Sequence, residues 1–257
     1  MKLLATDYDG TLDFGGNVLE SDVEAIKAWR AAGHKFAIVT GRSKASVTEK
    51  LKEFDIPVDY YITNNGGMVF DAQGNVLYSS TLDTLTAVDL MYATHELPEV
   101  ASYTVNDGLT RHKVTVHPNL PDHHYAHLQD DWSEDEIIAL GSYAQIVFSC
   151  STPEAALELA HKINHYFGSN VTAYPNNFVV DIVPHGISKA TGLDFVQAYC
   201  ESDDDQTFCM GDSHNDIPML EAFENSAAIS LAPSEVKVVA THDFPSVESF
   251  VEFALAQ

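Results

Sequence analysis

Asp7-Tyr8-Asp9-Gly10-Thr11-Leu12, within the run KLLATDYDGTLDF, puts two carboxylates two residues apart directly after a short apolar segment. The apolar segment reads as a buried strand. In isolation, an Asp-x-Asp-Gly at a strand end is most simply a turn. The competing reading is that a cation and an anionic substrate belong there, since neighbouring negative charges need compensation.

The pattern around this stretch decides the fold. KLLATD, HKFAIVTG and YYITNNGG read as strands, and SDVEAIKAWRAAG and SKASVTEKLKEF read as the helices between them. The first helix is expected to begin at an N-cap Ser21, with Glu24 as capping-box partner, and to end at Gly33; Ser43 is the expected cap of the second. Strands separated by helices of this length indicate βαβ units and a parallel sheet. MVFDAQGNVLYSS reads as a hairpin around Asp71-Ala72-Gln73-Gly74.

The rhythm changes between about Thr81 and Pro184. LDTLTAVDLMYATHE is helical, ASYTVND and TRHKVTVHP are strands around Asp107-Gly108, and QIVFSCS is a strand. TPEAALELAHKINHYFG is a helix, and VTAYPNNFVVDIVP is a hairpin around Pro175-Asn176-Asn177. SKATGLDFVQAYC, QTFCMGD, NDIPMLEAFEN and SAAISLA then restore the alternation of helix and strand. The expected fold is α/β: a doubly wound parallel sheet formed by residues 1–80 and 185–257, with an α+β domain inserted at 81–184.

Composition narrows the function classes. The 257 residues are 45% hydrophobic, enough for a full core. With 38 acidic against 13 basic residues the net charge is −25, and no basic patch of the kind that binds nucleic acid is visible. No run is long enough for a membrane span, and MKLLATDYDG is apolar too briefly for a signal peptide. Cys150, Cys200 and Cys209 have no metal-ligand spacing, and their odd number suits a reducing, cytoplasmic setting. Oligomeric state is not legible.

In open parallel sheets, ligands bind beyond the carboxyl ends of the strands. Asp7–Thr11, Thr40-Gly41-Arg42 and Gly211–Asp216 all follow expected sheet strands, while Gly186-Ile187-Ser188-Lys189 opens the helix that re-enters the sheet. Each alone has an ordinary explanation: a turn, a strand end, a helix cap, a solvated lysine. Independent turns would not fall in this order at strand ends.

DYDGTL, IVTGR, the lysine of GISKATGL, and GDSHNDIPML together resemble, in order, the four motifs of the haloacid dehalogenase superfamily of phosphohydrolases. About 30 residues separate the first two motifs, so the long insertion lies between the second and third. That layout, with ITNNGGMVFD before the insertion, resembles the Cof-type (type IIB cap) branch, whose members are mostly Mg²⁺-dependent sugar-phosphate phosphatases. The resemblance covers nearly the whole chain.

It implies specific roles, which phosphoryl-transfer chemistry also asks for. Asp7 would be the nucleophile that forms an aspartyl-phosphate. Asp9 would protonate the leaving oxygen and then activate water. Alternation along a strand would aim both carboxylates one way, and the Gly10 turn is expected to re-aim Asp9. Asp7, the backbone carbonyl of Asp9, and Asp212 would hold Mg²⁺, with Asp216 in a supporting or water-mediated role. Thr40, Gly41 and Asn215 would contact the phosphoryl group, and Lys189 would shield Asp7 and stabilise the transition state. Ser213 and Tyr8 depart from the commonest residues of the branch without disturbing this chemistry.

The expected function is a Mg²⁺-dependent phosphatase of small phosphorylated metabolites, with sugar phosphates the expected class and the inserted domain closing over the site. The alternatives are a phosphomannomutase-like phosphomutase and a non-catalytic binder of phosphorylated ligands. A mutase needs a second cationic cradle, and the insertion offers only Arg111, Lys113 and Lys162 besides histidines. His117, His123, His124 and His127 lack an HExxH pattern, although His123 and His127 have the spacing to share a helix face. Asn176, Asn177 and Asp181 are candidates for leaving-group contacts, with orientation open.

Overall fold

The computed structural model describes residues 1–130 and 132–257. The chain divides into two compact units, Met1–Tyr78 with Ser188–Gln257, and Ser79–Ile187. Before the division run β1 (Leu3–Asp7), α1 (Glu20–Ala31), β2 (Lys35–Val39), α2 (Lys44–Glu53), β3 (Tyr60–Thr63), β4 (Met68–Asp71) and β5 (Val76–Ser79). The second unit holds α3 (Thr84–Ala93), β6 (Val100–Asn106), β7 (Arg111–Thr115), α4 (Glu134–Leu140), β8 (Gln145–Cys150), α5 (Pro153–Phe167), β9 (Val171–Asn176) and β10 (Val179–Pro184). The first unit resumes with α6 (Lys189–Tyr199), β11 (Thr207–Gly211), α7 (Ile217–Ala222), β12 (Asn225–Ile229), α8 (Ser234–Lys237), β13 (His242–Phe244) and α9 (Val247–Ala256).

One sheet has the order β13-β12-β11-β1-β2-β3-β4-β5. It is parallel from β13 to β3, and β4 turns antiparallel to β3. Every residue of β1 and β11 is buried, as a sheet covered by helices on both faces requires. Trp29, Phe36, Phe208 and Phe250 anchor its core. Asp59 ties α1 to β2: it accepts from Arg30 Nε at 2.8 Å, Arg30 Nη2 at 3.0 Å, Lys35 Nζ at 3.2 Å and the Phe36 amide at 3.0 Å. Burial pushes its carboxyl up, but these donors outweigh burial and hold it below the usual range.

The second unit is built on an antiparallel sheet of order β7-β6-β8-β10-β9. Alternation sends Tyr103, Val105, Ile146, Phe148, Val180 and Ile182 into its apolar core. Leu159, Ala160 and Ile163 of α5 join them. The opposite face carries Ser102, Thr104, Asn106, Gln145, Ser149 and Asp181, all buried. Asp122 satisfies part of that face, accepting from Ser102 Oγ and Ser149 Oγ, each at 2.7 Å, and pairing with Lys113 Nζ at 2.9 Å. Tyr125 packs there on Val147 and Val179.

Some local expectations are corrected. The first helix begins at Glu20 behind Leu19, so Ser21 is not its N-cap and the Glu24 capping box does not form. Asp22, in the first turn, is buried and accepts from the Glu248 amide at 2.8 Å, at the start of α9. Ser43 occupies the cap position of α2 without a side-chain cap bond. The expected helix NDIPMLEAFEN is a 3₁₀ turn at His214–Asp216 followed by α7, and Asn225 already belongs to β12. His123 and His127 lie in turns rather than on a helix. Asn177 forms the β9–β10 turn at φ 51°, while Asp181 is buried and accepts from Gln145 Nε2 at 2.6 Å. Helices α4, α8 and α9 and strand β13 have no counterpart in the sequence reading. Among the described residues, no helix is long and apolar enough to cross a membrane.

Candidate active site

Asp7 is the last residue of β1, and its side chain is only 4% exposed. Lys189, the first residue of α6, reaches it: Nζ donates to Asp7 Oδ1 at 2.6 Å and to Asp216 Oδ1 at 2.7 Å. Ser188 makes this placement rigid by capping α6, its Oγ accepting from the Thr191 amide. The other oxygen of Asp216 accepts from the amides of Asp212 and Ser213, at 3.1 and 3.0 Å. Asp216 therefore fixes both the lysine and the loop that carries Asp212.

Asp212 is held from two sides. Thr11 Oγ1 donates to its Oδ1 at 3.1 Å, and Ser213 Oγ donates to its Oδ2 at 3.2 Å. The serine that departs from the commoner glycine thus steadies this carboxylate. Gly10, at φ 89°, lies so close that a Cβ there would overlap the Asp212 carboxylate. This close approach, and the backbone conformation, require glycine.

Among the described residues, Asp7, Asp212 and Asp216 form the one group of potential metal ligands, with an oxygen from each within 4.8 Å of the others. Their electrostatics fit a hard divalent cation. Burial raises the Asp7 carboxyl well above its ordinary range; Lys189 counters this, and Asp216, Asp212 and Asp9 reinforce it. Burial, with Asp216 adding to it, pushes Asp212 up to about 6. Burial opposes the Lys189 ammonium, but Asp216 and Asp7 outweigh it and hold it protonated. One ammonium facing three carboxylates leaves excess negative charge, and the all-oxygen donor set suits Mg²⁺.

The remaining expected site residues lie as follows. Thr40 is buried, and its Oγ1 accepts from the Arg42 amide at 3.1 Å. The Asn65 amide donates to the Thr40 carbonyl at 3.0 Å, and Asn215 Nδ2 donates to Asn65 Oδ1 at 2.9 Å. Thr40, Gly41 and Asn215 are thereby linked through Asn65. The Asp9 side chain is 51% exposed and pairs with Arg42 rather than with Lys189. Arg42, Thr11 and Asn65 contact the expected site residues; the sequence reading placed them within its singled-out stretches but gave them no role. Arg42 carried a signal, being a cation directly after the Thr40-Gly41 strand end.

The family model for haloacid dehalogenase-like hydrolases matches residues 4–249. YkrA of Bacillus subtilis, a candidate phosphatase, is 28% identical over 245 residues, covering 93% of this chain and 90% of its own. A HAD/COF-like hydrolase from Plasmodium vivax has the same fold, with a TM-score of 0.84 and 24% identity over 100% of this chain and 96% of that one. The subclass IIB sugar phosphatase BT4131 also shares the fold, with a TM-score of 0.80 and 24% identity over 100% and 97% of the two chains. The family match over residues 4–249 establishes that the chain belongs to the haloacid dehalogenase-like hydrolases.

Proposed function

We propose that this protein is a Mg²⁺-dependent phosphatase that hydrolyses small phosphorylated metabolites, of which sugar phosphates are the favoured class. The observation that carries the reading is the Asp7–Lys189–Asp216 chain beside Asp212. A carboxylate nucleophile attacks an anionic ester only when nearby positive charge offsets the repulsion. Asp7, Asp212 and the Asp9 backbone carbonyl would hold Mg²⁺, which supplies that charge at the phosphoryl oxygens.

The chain's own residues account for the remaining steps. An Asp7 oxygen bonds to phosphorus as the bond to the leaving oxygen breaks, and Asp9 gives that oxygen its proton. Asp9 then takes a proton from water as the water oxygen attacks phosphorus, which frees inorganic phosphate and restores Asp7. Lys189 keeps Asp7 oriented and adds fixed positive charge, while Thr40, Gly41 and Asn215 offer donors to the phosphoryl oxygens.

The sugar-phosphate preference draws on BT4131, which is named a sugar phosphatase. Against a mutase, Lys113 is spent internally: its Nζ pairs with Asp122 at 2.9 Å and donates to the carbonyls of Tyr125 at 2.8 Å and Leu128 at 3.3 Å. Against a passive binder, Asp7, Asp9, Lys189 and Asp212 are all present, and a binder has no need of the full set. The test is p-nitrophenyl phosphate hydrolysis with and without Mg²⁺, followed by a screen of phosphorylated metabolites. Absence of turnover by purified wild-type protein in Mg²⁺ across the screen overturns the reading.

A further inference from the structure

Asn64, Asn65 and Gly66 are consecutive and all have positive φ, of 53°, 52° and 97°. Glycine adopts this conformation freely, and asparagine tolerates it better than most residues. Two asparagines in succession still carry backbone strain, which persists only where the surroundings over-determine it. Here they do. The Asn64 amide donates to the Arg42 carbonyl at 3.1 Å, and the Asn65 amide donates to the Thr40 carbonyl at 3.0 Å. On the other side, a Cβ on Gly66 would overlap the carbonyl oxygen of Ser188, which precedes Lys189. The turn bridges the Thr40-Gly41 segment and the start of the lysine helix.

Its side chains hold unused hydrogen-bonding capacity. Asn65 is only 1% exposed, and its Oδ1 is occupied by Asn215 Nδ2. Its Nδ2 has no partner among the described residues, and neither does Asn215 Oδ1. Buried amide donors are rarely left unpaired without a reason. Reversing both carboxamides would keep one bond between them but pass the free NH₂ group to Asn215, so the orientation in the structure is the one that leaves a donor on Asn65. A Cβ placed on Gly41 would lie 3.1 Å from Asn65 Nδ2, so this donor faces the glycine backbone rather than an apolar core.

We propose that the Asn65 carboxamide is a further phosphate ligand. Its NH₂ group donates to a non-bridging oxygen of the phosphoryl group held at Thr40 and Gly41, while its carbonyl oxygen fixes Asn215 for the same anion. This rests on reading the site as that of a phosphatase. It explains why strained asparagines stand at a turn that glycine would form without cost.

Two variants separate ligand from scaffold. Asn65→Gly keeps the positive φ and deletes the carboxamide; Asn65→Asp keeps the shape and the acceptor but replaces the donor with negative charge. The probe is inorganic phosphate, titrated calorimetrically into the full chain with Mg²⁺ present, beside melting temperature and p-nitrophenyl phosphate kinetics. Both variants are expected to fold, to bind phosphate roughly tenfold or more weakly, as loss of a hydrogen bond to an anion implies, and to show a raised KM. A purely structural role would lower the melting temperature and leave phosphate affinity unchanged, which overturns the proposal. If Asn65→Gly does not fold, wild-type affinity in Asn65→Asp is sufficient to overturn it. Wild-type protein that binds phosphate but hydrolyses no ester sinks the phosphatase reading alone; wild-type protein that neither binds phosphate nor hydrolyses an ester sinks both.

Discussion

The guanidinium of Arg42 holds the carboxylate of Asp9 by two hydrogen bonds, from Nε to Oδ2 at 2.7 Å and from Nη2 to Oδ1 at 2.6 Å. Paired bonds of this kind are strong and directional. The guanidinium also lies over the Tyr8 ring, 5.2 Å from its centroid, and Nη1 donates to Ser46 Oγ at 3.3 Å. Tyr8, the fully buried residue between the two aspartates, therefore supports the group that aims the second of them. A carboxylate with both oxygens engaged must release one before it can exchange a proton with a leaving group. Arg42 sets where Asp9 rests.

Arg42→Lys keeps the charge and loses the fork. It is expected to lower kcat for alkyl phosphates roughly tenfold, within the usual worth of acid–base catalysis. The loss should be smaller for p-nitrophenyl phosphate, whose leaving group needs little protonation. In an Asp9→Asn background the same change should add little, because coupled residues are not additive. Steady-state kinetics on the four proteins measures this, and full additivity would show that Arg42 acts elsewhere.

Asp7→Asn is expected to abolish turnover while leaving the fold intact, since an amide cannot attack phosphorus usefully. EDTA should also abolish it, with recovery on adding Mg²⁺. Near-wild-type rates from an Asp7→Asn preparation free of contaminating phosphatase would remove Asp7 from the nucleophile's role.

The parallel sheet was legible because fully buried strands such as Leu3–Asp7 and Thr207–Gly211 read as unbroken apolar runs punctuated by glycine and aspartate. The candidate site was legible in its charged residues, because they fall just at or after strand ends and, for Lys189, at a helix start. Residues that act through geometry were harder to see. Asp22 resembles any first-turn acid, yet it is buried to reach the amide of Glu248, more than 200 positions away. Asn65 stands in a local turn signal, Asn-Asn-Gly-Gly, but its link to position 215 is not legible from sequence. Helix α9 did carry a local signal: Val247, Phe250, Val251 and Ala254 have helical spacing and form its buried face.

Asp122 gives the second unit a defined acid sensitivity. Burial raises its carboxyl, but Lys113, Ser102, Ser149 and the Tyr125 amide outweigh this and hold it at about 2. A folded-state value below the unfolded one, about 3.9 for aspartate, contributes stability that is complete above the unfolded value. That contribution is lost as pH falls through the folded value. Asp122→Asn should therefore cost about 2 kcal/mol near pH 7, and the gap from wild type should close between about pH 4 and pH 2. Urea unfolding in a Trp29→Phe background, followed by Trp132 fluorescence, reports on this unit, since that ring stacks on His112 at 4.0 Å. A gap independent of pH would mean that Asp122 acts through shape alone.

The last prediction separates hydrolysis from isomerisation. A mutase retains a bisphosphorylated sugar, so a second phosphate needs its own cationic cradle while the first is processed. In the inserted unit Lys113 is buried against Asp122 and two carbonyls, and Lys162 is exposed on α5. Arg111 stands over the Tyr125 ring, 5.2 Å from its centroid. Freeing Lys113 for a phosphate would strand Asp122 as a buried charge, which is strongly unfavourable. Glucose 1-phosphate and mannose 1-phosphate are therefore expected to yield inorganic phosphate with no need for a bisphosphate activator. Each is incubated with enzyme and Mg²⁺, with and without the matching 1,6-bisphosphate, and both free phosphate and the 6-phosphate isomer are assayed. Isomer formation that depends on the bisphosphate and outruns phosphate release would make the enzyme a mutase, and would require the Lys113–Asp122 pair to open during turnover.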